Sequence, residues 1–259
     1  MILAKPNYTI EALVEDRSGG MVIAGLLEKI LASFEHAGST ASWSLAIRPH
    51  RGGGSLPKDL HKKPERYASN LLGLLPAKLR AYNTLDTGSG ADLILIILDS
   101  DQNDSRQLFN SIRFAARQIA PHKSVIIGLA VEELEAWLLG DRDAIVAAYP
   151  EANLKILDAY EQDSICGTWE VLARTVMGDK AESLIETGYP AVGMYKAEWA
   201  AKISPHLEPE RNLSPSFKRF NKALTFVLTN PESILERSNE EYDPDKQRDK
   251  QNYPDKSHG

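Results

Sequence analysis

Two aspartates one residue apart, Asp99 and Asp101, follow six unbroken apolar residues, Leu93 to Leu98. Two carboxylates that converge repel each other until a proton or a cation intervenes. Hard divalent ions, Mg²⁺ above all, are the usual partner. If the chain stays extended, residues two apart leave on one face, so both side chains would point the same way. The bland alternative is a helix cap or a turn, since loop aspartates commonly serve as caps. Other acidic residues occupy similar places. Glu15 follows Tyr8 to Val14, and Glu132, Glu133 and Glu135 follow Ser124 to Val131. Glu132 reads as favourable pairing with a helix dipole. Glu15, Glu133 and Glu135 read as further candidate ligands.

The elements that must position these residues come from the apolar pattern. The runs 8–14, 93–98 and 124–131 are short, apolar and rich in β-branched residues, as expected of strands buried on both faces of a parallel sheet. A weaker run, 41–47, is a further strand. Helical periodicity marks 21–34, 103–118 and a leucine face at Leu71, Leu72, Leu74, Leu75 and Leu79. Strands alternating with helices imply a mostly parallel α/β sheet flanked by helices. Open sheets of that kind place ligands at the carboxyl ends of their strands, where all these carboxylates fall. Beyond Asp141 the signals are helical, at 144–149, 168–177, 181–186, 196–203 and 216–228. The expected organisation is an α/β core at 1–140, a helical C-terminal lobe at 141–230 and a polar tail at 231–259, disordered or loosely attached. Trp169 and Trp199 are expected in the core.

A second candidate site is the loop Arg48-Pro49-His50-Arg51-Gly52-Gly53-Gly54-Ser55. Arg48 and Arg51 supply positive charge. The Gly52, Gly53 and Gly54 backbone offers N–H groups that no Cβ obstructs, a combination suited to phosphate. The alternative is a flexible linker. A basic stretch follows, with Lys58, His61, Lys62, Lys63, Arg66, Lys78 and Arg80. The 259 residues carry a net charge of −6, so any contact with nucleic acid must be local. The single cysteine, Cys166, forbids an internal disulfide and reads as a small buried or half-buried side chain. The six histidines are scattered without zinc-like spacing. The first residues lack a basic segment followed by an apolar one, and no apolar run approaches ~20 residues. A cytoplasmic protein with no membrane contact is expected.

Taken in order, Val14-Glu15-Asp16, Arg51-Gly52-Gly53-Gly54, Leu98-Asp99-Ser100-Asp101 and Glu133-Leu134-Glu135-Ala136-Trp137-Leu138-Leu139-Gly140-Asp141 resemble a prokaryotic family of unknown function with a Toprim-like core. Ser214-Pro215-Ser216-Phe217-Lys218-Arg219-Phe220 resembles its C-terminal motif, and the resemblance spans roughly 8–228. Members often lie near ATPase genes in loci linked to phage defence, which implies an ATPase as a partner. Toprim domains of topoisomerases, primases and overcoming-lysogenisation-defect nucleases use one Glu after the first strand and an Asp-x-Asp after a later one. Carried over, those positions are Glu15, Asp99 and Asp101. The family often has Gly after that Glu, where this chain has Asp16. The extra carboxylate either helps to hold metal or marks a site that has drifted.

The resulting expectation is a Mg²⁺- or Mn²⁺-dependent phosphodiester hydrolase, nuclease-like and belonging to a defence system. Asp99 and Asp101 hold the metal, Glu133 or Glu135 completes its shell, and Glu15 is a ligand or general acid/base. Arg48, Arg51 and Gly52–Gly54 receive phosphate. No catalytic tyrosine stands out. The alternative is a non-catalytic metal-binding effector or adaptor that docks an ATPase. A phosphatase or phosphoacceptor is disfavoured, because Lys123-Ser124 falls at the wrong end of its strand.

Overall fold

The computed structural model describes residues 7–39, 41–84, 91–101, 104–231 and 234. Four strands, β1 (Asn7–Val14), β2 (Ser42–Pro49), β3 (Leu93–Asp99) and β4 (Ser124–Ala130), form one sheet in the order β2-β1-β3-β4. Every pairing is parallel. The protein is α/β, a parallel sheet flanked by helices, as the alternating pattern requires. Between the strands lie α1 (Arg17–His36), α2 (Leu71–Thr84) and α3 (Ser105–Ile119). After β4 come α4 (Glu135–Leu139), α5 (Arg142–Ala148), α6 (Leu154–Ala159), α7 (Thr168–Met177), α8 (Lys180–Thr187), α9 (Ala191–Ile203) and α10 (Pro215–Thr229).

The side-chain alternation of β3 divides the core in two. Leu93, Leu95 and Ile97 face a cluster shared with α1 and the C-terminal helices, while Ile94, Ile96 and Leu98 face one shared with α2 and α3. All six are buried, each contributing about 1.5–3 kcal/mol by its burial. Strand β3 is central, so covering both faces is what makes its continuous apolar run stable.

The C-terminal helices are continuous with the larger cluster. Helix α9 packs on α1 and α10 packs on β4. Trp137 lies at the centre of that contact, fully buried, with Phe217 and Phe220 at ring distances of 5.3 and 5.4 Å. Its indole N–H donates to Ser216 Oγ at 2.8 Å, and its carbonyl accepts from Asn212 Nδ2 at 2.7 Å. Much of the Glu-Ala-Trp-Leu-Leu-Gly-Asp and Ser-Pro-Ser-Phe motifs thus joins the C-terminal helices to the sheet. Trp199 is buried as expected, and Trp169 is partly buried against the same cluster. Cys166 differs from expectation: it is exposed, in the turn before α7. Apart from Pro231 and Ile234, the expected tail at 231–259 lies outside the described residues. Ile234 is buried, and its carbonyl accepts from Ser124 Oγ.

Candidate active site

The carboxyl ends of β1, β3 and β4 lie side by side, and each delivers acidic residues to the same edge. Glu15 stands one residue beyond β1. Its Oε2 accepts from the Asp99 backbone N–H at 3.0 Å, so the ends of two neighbouring strands are tied through it. Asp99 is the last residue of β3, and its Oδ1 accepts from Leu134 N–H at 2.8 Å, joining the third strand end. Glu133 and Glu135 follow β4. A small cavity of about 20 Å³, room for one water or one bare ion, lies among Glu15, Asp99, Glu135, Lys196, Gly19 and Leu134.

Lys196 is the residue that reading the sequence missed. It projects from α9 and is only 6% exposed. Its Nζ lies 3.4 Å from Glu133 Oε1 and 3.0 Å from Glu135 Oε2. The second contact is an ion pair without hydrogen-bond geometry, which leaves Glu135 Oε2 buried without a donor. Burial alone would lower the lysine's pKa, but Glu135, Glu133 and Asp99 outweigh it and raise it, so Lys196 is a cation. Beside it, Tyr189 is 65% exposed, with its hydroxyl toward Lys196.

One cation does not balance this many carboxylates. Burial raises Asp99 well above the ordinary range, and Glu15, Glu135 and Glu133 push it the same way against Lys196. Burial raises Glu15 too, opposed by the Asp99 and Gly53 backbone N–H groups and reinforced by Asp101 and Asp16. Glu133 is pushed up to about 7, by burial first and by Glu135, with Lys196 pulling the other way.

The remaining expected residues are placed differently. Strand β3 ends at Asp99, and Asp101 has left-handed backbone (φ 48°), so the two aspartates do not share an extended face. Asp101 is exposed and bridges in antiparallel fashion to Glu132. Asp16 caps α1, accepting from Gly19 N–H at 2.7 Å and Ser18 hydroxyl at 2.8 Å. That accounts for the acidic residue where the resembled family often has Gly. Glu132 does not lie in its own helix's first turn. It too has left-handed backbone (φ 60°), and its carboxylate accepts from the N–H groups of Cys166, Gly167 and Thr168 and from the Thr168 hydroxyl at the start of α7.

The glycine-rich loop is fixed rather than slack. Gly52 N–H donates to Glu15 O at 3.0 Å, and Leu71 and Leu72 N–H donate to Gly52 O and Gly53 O at 2.9 and 2.8 Å. A Cβ on Gly53 would stand 3.0 Å from Glu15 Oε2. Gly54, at φ +67°, would place a Cβ 2.3 Å from Asn70. These two glycines let the loop pass against Glu15 and under the start of α2. Arg48 forms a two-pronged pair with buried Glu11, at 2.8 and 3.0 Å. That capture turns its guanidinium to the sheet. Arg51 stands exposed at the loop's start.

Fold and site together define an α/β domain with an acidic pocket at the carboxyl edge of a parallel sheet. A family model described as a domain of unknown function (DUF4276) matches residues 14–225, and the chain belongs to that family. No curated protein and no solved structure matches it. No helix among the described residues is long and apolar enough to cross a membrane.

Proposed function

We propose that this chain is a divalent-metal-dependent phosphodiester hydrolase of Toprim-like design. Glu15 and Asp99 are its central carboxylates, and Asp101 stands beside them. The observation that carries the reading is the charge imbalance at the strand ends. Asp99, Glu133 and Glu135 share one buried cation, Lys196, with Glu15 beside Asp99, and Glu15, Asp99 and Glu133 are held above their ordinary pKa. Such an arrangement is stabilised by added positive charge.

The donors fit a hard cation in type, being carboxylate oxygens throughout. Among the described residues no three His, Cys, Asp or Glu side chains form a ready metal cage. Mg²⁺ does not require one, since it keeps several waters and uses one or two carboxylates together with substrate phosphate. Glu15 and Asp99 meet that number. A cation held by Glu15 and Asp99 would supply Lewis-acid stabilisation of the phosphoryl oxygens and would activate water. Lys196 holds Glu133 and Glu135 and so sets the wall of the pocket. The Gly53 backbone and the Asp99 N–H orient the Glu15 carboxylate at the edge of the pocket. Mg²⁺ or Mn²⁺ is the implied cofactor and a nucleic acid the implied substrate. A setting in phage defence beside an ATPase partner rests on the sequence resemblance.

The test is incubation of wild type and Asp99→Asn with single- and double-stranded DNA and RNA in Mg²⁺, Mn²⁺ or EDTA. The reading expects cation-dependent cleavage that Asp99→Asn abolishes. Cleavage unchanged by EDTA or by Asp99→Asn, or no cleavage of any substrate, rejects it.

A further inference from the structure

The four carboxylates of the pocket fall into two pairs. Glu15 and Asp99 meet through the Asp99 N–H at the ends of β1 and β3. Glu133 and Glu135 close on Lys196, whose Nζ stands 3.4 Å from Glu133 Oε1 and 3.0 Å from Glu135 Oε2. Glu135 is 4% exposed, lines the cavity beside Lys196 and keeps its Oε2 buried without a donor. The lysine balances the charge of that oxygen without filling its lone pairs, and such an oxygen suits a positive ion. Nor is Lys196 free to swing aside. On α9 it stands in the buried stripe, four residues after Val192 and three, four and seven before Trp199, Ala200 and Ile203. Helix α9 packs on α1. A lysine on a solvent face exchanges its partner for water at little cost. This one would have to carry its charge past apolar side chains.

A hard divalent ion and an ammonium make the same demand, carboxylate oxygens in a place that water screens poorly, and there they repel each other. In two-metal sites both cations are divalent ions, about 3.5–4 Å apart. Here a fixed ammonium already stands among the carboxylates, and the cavity of about 20 Å³ has room for one bare ion. We propose that Lys196 is a built-in counter-ion standing where a second metal ion would otherwise sit, so that the pocket holds a single divalent ion, at Glu15 and Asp99. The chain itself supplies charge that a two-metal site draws from solution. Lys196 is a positioning residue: it holds Glu133 and Glu135 and keeps a second ion out. This inference rests on the metal-dependent reading and sets the number of ions that reading requires.

The test is titration of Mn²⁺ into the full chain, counting free ion by its paramagnetic resonance signal, alongside thermal melts with and without Mn²⁺. Wild type should bind one ion per chain. Lys196→Met vacates the position and leaves Glu133 and Glu135 without a cation. It should bind two ions, and saturating Mn²⁺ should raise its melting temperature by more than it raises that of wild type. A lysine that served packing alone would leave the count at one. Glu133→Gln keeps the lysine paired with Glu135, so it should fold and still bind one ion. Two ions in wild type, one in Lys196→Met, a Lys196→Met chain that Mn²⁺ does not stabilise, or no ion in Glu133→Gln overturns the inference and leaves the metal-dependent reading standing. A wild type that takes up no Mn²⁺ overturns both.

Discussion

Glu132 and Glu133 are chain neighbours with opposite environments. The Glu132 carboxylate is surrounded by donors from the start of α7, and the Thr168 hydroxyl and three N–H groups lower its pKa in spite of burial. Glu133 receives one N–H, from Trp169 at 3.2 Å, and shares Lys196 with Glu135, and it is pushed up to about 7. The same contrast separates Asp141 from Asp99. Asp141 is 1% exposed but accepts from Glu208 N–H at 2.7 Å and from the Arg211 guanidinium at 3.2 and 3.1 Å. Among the described residues Asp99 accepts from the Leu134 N–H, and it faces other carboxylates. A carboxylate matched by donors holds structure together. A group of carboxylates short of donors is poised for a cation, and this chain keeps the two kinds a few residues apart.

The contrast can be broken from either side. Asp99→Asn should lower any cation-dependent cleavage by roughly a thousandfold, as loss of metal stabilisation worth several kcal/mol requires, while its metal-free melting temperature should not fall below that of wild type. Steady-state rates and thermal melts check the two halves. Lys196→Met should destabilise the fold by about 3–5 kcal/mol, because it leaves Glu133 and Glu135 buried without a cation. Chemical denaturation reads this directly, and an effect near zero would mean that the ion pairs are incidental.

A pH series sharpens the comparison. Glu15, Asp99 and Glu133 have folded pKa values above their unfolded ones, so each contributes stability at low pH that is lost as pH rises. For Glu133 the window runs from 4.5 to about 7. Without metal, the melting temperature should fall across that window, and Mg²⁺ should reverse most of the fall. Glu132 has the opposite sign: its lowered pKa adds stability above 4.5 that is lost as pH falls further. The smallest effect is expected from Glu132→Gln, about 1–2 kcal/mol of stability as charge-assisted hydrogen bonds weaken, with cleavage retained.

What the sequence revealed follows from how local each signal is. Strand β3 was legible because six apolar residues between polar ends admit few other solutions. Glu15 and Asp99 were legible as strand-end residues, since parallel strands bring their carboxyl ends to one edge. Lys196 was not, because a lysine inside a helical stretch looks the same whether it meets water or buried carboxylates. Its role depends on α9 packing against α1. Arg48 in a basic, glycine-rich loop suits phosphate, and its capture by Glu11 depends on the β1–β2 register, which the loop's own residues do not carry. Strand periodicity pairs Asp101 with Asp99 only if the strand continues, and it stops at Asp99, two residues short; the place of Glu132 depends on a left-handed backbone that its side-chain type does not announce.

The central claim is that the donor-poor carboxylates, and not the donor-rich ones beside them, take a divalent cation. Calorimetric titration of Mn²⁺ into wild type, Asp99→Asn and Glu132→Gln tests it most directly. The account predicts saturable binding by wild type and Glu132→Gln, and its loss in Asp99→Asn. No binding by wild type, or equal binding by Asp99→Asn, would contradict it.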